Sequence, residues 1–123
     1  MRYVFGFVML AVLAGPAMAQ LMNAETFHHR AMKLQSKGAG AIFSMGEIKK
    51  LAAEGKAAGQ RSRELRLAAI AAGRKPRYCP PEGPQQMKSS EFMTRLSAIP
   101  AAERARIDMT EAMTRILVTK FPC

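Results

Sequence analysis

The sequence predicts an all-α protein, a small bundle of four or five short helices stapled by one disulfide. Three observations carry that prediction. Apolar residues recur three and four apart between glycine and proline breaks, the spacing of one helix face. No run alternates with period two under β-branched or aromatic residues, so no sheet is expected. Capping residues precede the periodic runs, at Asn23, Ser44, Ser89, Ser90 and Asp108.

The first segment reads as an address rather than as fold. Arg2 is followed by an apolar run from Tyr3 to Ala14, then Gly15-Pro16, then the small residues Ala17-Met18-Ala19. That is the three-part pattern of a secretory signal peptide, residues 1–19, cleaved after Ala19. The run is too short for a membrane span, which needs about 20 apolar residues. Residues 20–123 then form a single helical domain, not membrane-spanning after cleavage, in a periplasmic or secreted location. Arg2 is the only charge removed, so the remainder stays strongly basic beside the full chain's net +10.

The expected helices follow in order. Asn23 caps a helix over about 24–37, with Phe27, Ala31 and Leu34 on one face and Gly38 and Gly40 at its end. Ser44 and Glu47 have capping-box spacing. Ile48, Leu51 and Ala52 begin the next stripe, which resumes with Leu65, Ala68, Ala69 and Ala72 before Gly73 as C-cap. Gly55 and Gly59 weaken its middle, so the region reads as two helices or as one long helix. Residues 74–88 hold four prolines and a glycine and form a loop. Ser89 or Ser90 starts a helix through Phe92, Leu96 and Ile99, and Pro100 suits the first turn of the next. Asp108 and Glu111 repeat the capping-box spacing ahead of Met109, Ala112, Met113, Ile116 and Leu117.

Two cysteines, Cys79 and Cys123, lie in the exported part. An oxidising compartment and an even count of two leave one connectivity. The bridge closes a loop of about 45 residues, worth about 4 kcal/mol in the chain-entropy model.

Chemistry-bearing motifs are sparse. His28 and Met32 share a helix face, a pairing suited to copper, but no repeated His/Met motif accompanies them. Met93, Met109 and Met113 fall at or beside apolar helix positions, where methionine fills core. Cys79 with His28 or His29 lacks any catalytic-cysteine signature. No nucleophile elbow, HExxH or phosphate-cradling glycine loop occurs. No enzyme, catalytic residue, metal site or cofactor is expected.

Charge is the stronger signal. Between residues 33 and 77 the chain carries eleven Lys or Arg against Glu47, Glu54 and Glu64. Lys49, Lys50, Lys56, Arg61, Arg63 and Arg66 are assigned to a basic face. Such a field steers acidic partners and is weakened by salt. Export and the lack of interleaved aromatics argue against nucleic acid. An anionic envelope component is the expected alternative partner. The loop after Cys79 is a second candidate surface, with Pro80, Pro81, Glu82, Gly83 and Gln85 held stiff by prolines.

The Cys79-Pro80-Pro81 turn, the helical segments after it and the closing Phe121-Pro122-Cys123 resemble the type VI secretion amidase immunity protein family, called Tai. The resemblance covers about residues 78–123. It implies a periplasmic, disulfide-stapled helical protein that binds a peptidoglycan amidase and blocks its active site, and it implies a dimer. Many members have a further cysteine pair in the N-terminal half, which residues 20–78 lack. A second expectation, from size and character alone, is a periplasmic helical chaperone or envelope stress protein.

Overall fold

A computed structural model describes residues 21–123, and the expected signal segment lies outside them. Among the described residues five α-helices form the bundle: α1 (Ala24–Ser36), α2 (Met45–Ala71), α3 (Ser89–Ala98), α4 (Ala101–Arg104) and α5 (Met109–Lys120). A 3-10 segment, Gly38–Ser44, joins α1 to α2. No strand occurs among the described residues. One antiparallel bridge pairs Asn23 with Asp108. The all-α class and the single staple are as the sequence predicts.

The open question of residues 45–73 is resolved as one helix. α2 runs 27 residues through Gly55 and Gly59. With a rise of about 1.5 Å per residue, α2 is about 40 Å long and α5 about 18 Å. α2 packs chiefly on α5, with Leu51, Ala58 and Ser62 turned inward.

The helix ends show which local signals act. Asn23 Oδ1 accepts from the backbone N–H of Glu25 at 2.9 Å and of Thr26 at 3.2 Å. Asp108 Oδ1 accepts from Glu111 N–H at 2.9 Å. These two caps lie side by side: Ala24 N–H donates to Ile107 O at 2.9 Å and Met109 N–H to Met22 O at 2.8 Å. The starts of α1 and α5 are thus locked together. Gly73 closes α2 at φ +71°. Arg74 N–H donates to Ala69 O and Gly73 N–H to Ile70 O, the paired bonds of a Schellman end.

Three local expectations differ. Ser44 makes no cap bond; its Oγ accepts from Lys37 Nζ at 2.9 Å, because the preceding 3-10 turn keeps its backbone away from extended geometry. Ser89 and Ser90 lie inside α3, and Lys88 occupies the cap position without a side-chain bond. Of the stripe expected at Leu65, Ala68, Ala69 and Ala72, only Ala69 is half-buried and the other three are exposed.

The core comprises Ala24, Phe27, Ala31, Leu51, Ala58, Leu96, Met109, Ala112, Met113 and Ile116. Phe92 meets Phe27 edge to face, ring centres 5.8 Å apart, an arrangement that aromatic quadrupoles favour. Between α2 and α5 the contact turns polar. Ser62 Oγ and Thr114 Oγ1 lie 2.8 Å apart, and Ser62 Oγ donates weakly to the Tyr78 hydroxyl at 3.5 Å. Buried Arg104 closes the C-terminus of α3, where a cation meets the unpaired last carbonyls. Its guanidinium donates to the carbonyls of Leu96, Ser97 and Ile99 and to Glu25 Oε2 at 2.7 Å.

Candidate functional site

Two surfaces stand apart from the packed bundle. The first is the loop after Cys79. Cys79 and Cys123 are joined with Cα atoms 4.9 Å apart, and Cys79 N–H donates to Phe121 O at 2.8 Å. Tyr78, beside the bridge, is buried under Ser62, and the Arg66 guanidinium lies 5.5 Å from its ring centre, within cation–π reach. Arg77 clamps Glu111 through two bonds, at 2.7 and 3.0 Å, the bidentate form of this ion pair. At the other end Met87 packs against the core. Between these anchors Pro80 is half-buried, while Pro81, Glu82, Gly83, Pro84, Gln85 and Gln86 are exposed. Gly83 takes φ +91° and Gln85 Nε2 reaches its carbonyl at 3.5 Å. A residue with a Cβ rarely adopts that φ. All five loop residues singled out by sequence, Pro80, Pro81, Glu82, Gly83 and Gln85, thus lie on one fastened segment.

The second surface is α2. The helix distributes the six cations of the expected basic face around its axis. Lys49, Lys56 and Arg63 are spaced seven apart, share one line and are exposed. None of the three makes a hydrogen bond or an ion pair among the described residues. Lys50 stands off this line, and its charge helps to lower the Glu47 carboxyl. Arg61 lies 3.8 Å from Glu64. Arg66 is half-buried against Tyr78.

The carboxylates are engaged elsewhere. Arg104 holds Glu25, Arg30 holds Glu47, Lys120 holds Glu91 and Arg77 holds Glu111, each by a direct hydrogen bond that lowers the carboxyl below its ordinary 4.5. Each of these ion pairs ties two segments of the chain together. His28 is pushed down, first by partial burial and then by Arg104, and its Nε2 lies 2.9 Å from Ser97 Oγ. Among the described residues no group of three or more His, Cys, Asp or Glu gathers where a metal would sit. A hollow of about 290 Å³ lies between α1 and the start of α2, but Arg30 there is committed to Glu47 and Lys37 to Ser44.

One apolar feature does not show as a helical stripe. Ile42, Phe43, Met45, Leu65, Leu67 and Ile70 are exposed, Phe43 at 92%. The signal was present in residues 65–72, Leu-Arg-Leu-Ala-Ala-Ile-Ala-Ala, which are apolar on almost every side. A stripe search keeps the half that continues the core and passes over the rest. Among the described residues no helix is long and apolar enough to cross a membrane. Comparison of the chain with protein-family models, curated proteins and solved structures finds no match.

Proposed function

We propose that the chain is a non-enzymatic binding protein that acts by stoichiometric occlusion of a partner's cleft. The observation that carries this reading is the fastened loop. Residues 81–86 are exposed between a disulfide-bonded anchor and a core-packed methionine. Such a segment loses little conformational freedom when a partner closes on it, so contacts there convert efficiently to affinity. The resemblance to the Tai immunity proteins supplies the partner's class, a peptidoglycan amidase delivered into the periplasm. The disulfide accords with an oxidising compartment, and so with a periplasmic or secreted location.

The test is to export the tagged protein and mix it with secreted amidases. The expected result is a one-to-one complex that survives high salt and abolishes peptidoglycan hydrolysis. Replacing exposed loop residues, Glu82→Arg with Gln85→Ala, weakens that complex while leaving the thermal melt unchanged. Absence of a complex with every amidase tried overturns the reading.

A further inference from the structure

We propose that the outer line of α2 is a docking face for an anionic phospholipid bilayer, with the helix lying in the plane of the headgroups. The proposal concerns a different surface from the loop and does not rest on the occlusion reading.

The face is defined by its spacing. Met45, Lys49, Ala52, Lys56, Arg63, Leu67 and Ile70 follow one another at three-, four- and seven-residue steps, and all are exposed. They lie about 100–160° around the helix from the line of Leu51, Ala58 and Ser62 that packs on the bundle. No acidic residue falls on the outer line. Its three cations are unpaired among the described residues, whereas Arg30, Arg77, Arg104 and Lys120 are held in ion pairs. Apolar residues sit at both ends, Met45 with the neighbouring Ile42 and Phe43 at one, Leu67 and Ile70 at the other.

Charge complementarity selects the occupant. A row of unpaired cations with exposed apolar side chains at both its ends complements a surface that is anionic outside and apolar just beneath. The cations meet phosphate groups, and their long stems let the apolar ends sink to the acyl boundary. A second copy of the chain would bring like charges together along the same row. A nucleic acid would engage the cations but leave Leu67, Ile70 and Met45 without a partner. An acidic protein is the outcome to be excluded.

The exported protein is titrated by sedimentation with vesicles of phosphatidylcholine alone and of phosphatidylcholine with phosphatidylglycerol in equal parts. Wild type and variants carry the same N-terminus, so differences among them report the face. Binding is expected to the mixed vesicles, to weaken with salt and to be much weaker on phosphatidylcholine alone. Lys56→Gln with Arg63→Gln is expected to lose about thirtyfold in partition. Lys88→Gln with Arg106→Gln has the same net charge away from α2 and is expected to lose far less. Phe43→Ser with Ile70→Ser is expected to weaken binding with the charge intact. All these positions are exposed, and unchanged melting temperatures confirm folding. Equal losses for the two cation pairs, equal binding to both vesicles, or no binding to either overturns the proposal. None of these results bears on amidase binding, so the two readings fail separately.

Discussion

The inner and outer lines of α2 differ in a way opposite to what folding alone would arrange. The inner line, buried against α5, is built of Leu51, Ala58 and Ser62. Two of these are small, and one of those carries a hydroxyl. The outer line carries Leu67 and Ile70, each about half exposed, and Phe43 stands out beyond its start. Burying a Leu or Ile side chain is worth about 1.5–3 kcal/mol, and here much of that contribution is left in solvent. The large apolar groups on the outside therefore add less to the stability of the isolated bundle than full burial would. The inner line explains how the helix is held, and the outer line offers a surface to something else.

The staple and the core beneath the inner line should give the largest effects. Cys79→Ser with Cys123→Ser opens a loop of sequence separation 44. That change should cost about 4 kcal/mol by urea unfolding. Met109 is fully buried where α5 meets the bundle. Met109→Ala should cost about 2–5 kcal/mol.

Acidification tests the ties. Glu25, Glu47, Glu91 and Glu111 have carboxyls lowered below the ordinary 4.5, so the unfolded chain binds protons more readily than the folded one. Their contribution is complete above 4.5 and is lost as pH falls through the lowered values. His28 is lowered below 6.5, so its contribution is complete above 6.5 and is lost as pH falls through its own lowered value. The urea midpoint should therefore fall on acidification, and a midpoint flat from neutral pH to about pH 3 would contradict the pairing scheme.

Within α2 the expected effects are smaller. A Cβ at Gly55 or Gly59 meets nothing within 4 Å. Gly55→Ala and Gly59→Ala should therefore each stabilise by about 1 kcal/mol. A loss at either position would mean that the helix is interrupted there. Leu67→Ser and Ile70→Ser should each cost no more than about 1.5 kcal/mol, the half of their burial that the bundle retains. A larger cost would show that the outer line is covered within the folded chain.

Much of this fold was legible because its signals are local. Asn23, Asp108 and Gly73 mark their helix ends through bonds to residues within a few positions. The disulfide was legible because two cysteines permit one pairing. Ser44 and Ser89 had the right residue type, but their backbone was set by what precedes them: a 3-10 turn in one case and a helix starting one residue early in the other. Arg104 was illegible because its partners, Glu25 and the carbonyls ending α3, come together only in the packed bundle. The same holds for Tyr78, which reads as a loop residue and is buried by Ser62 and Arg66. The candidate loop could be read from its prolines and cysteine. The outer line of α2 could not, because periodicity finds a helix's apolar face but does not say how far its neighbours extend along it.

Whether the outer line of α2 is there to be bound has a direct optical test. The chain contains no tryptophan, so Phe43→Trp places a single reporter at the most exposed apolar position of that helix end. Docking on an anionic bilayer predicts that its emission shifts to the blue when phosphatidylglycerol-containing vesicles are added. It also predicts that Lys56→Gln with Arg63→Gln abolishes the shift, and that phosphatidylcholine vesicles produce little of it. Emission that stays at its solvent-exposed wavelength at every lipid concentration, or that shifts equally with neutral vesicles, would contradict docking.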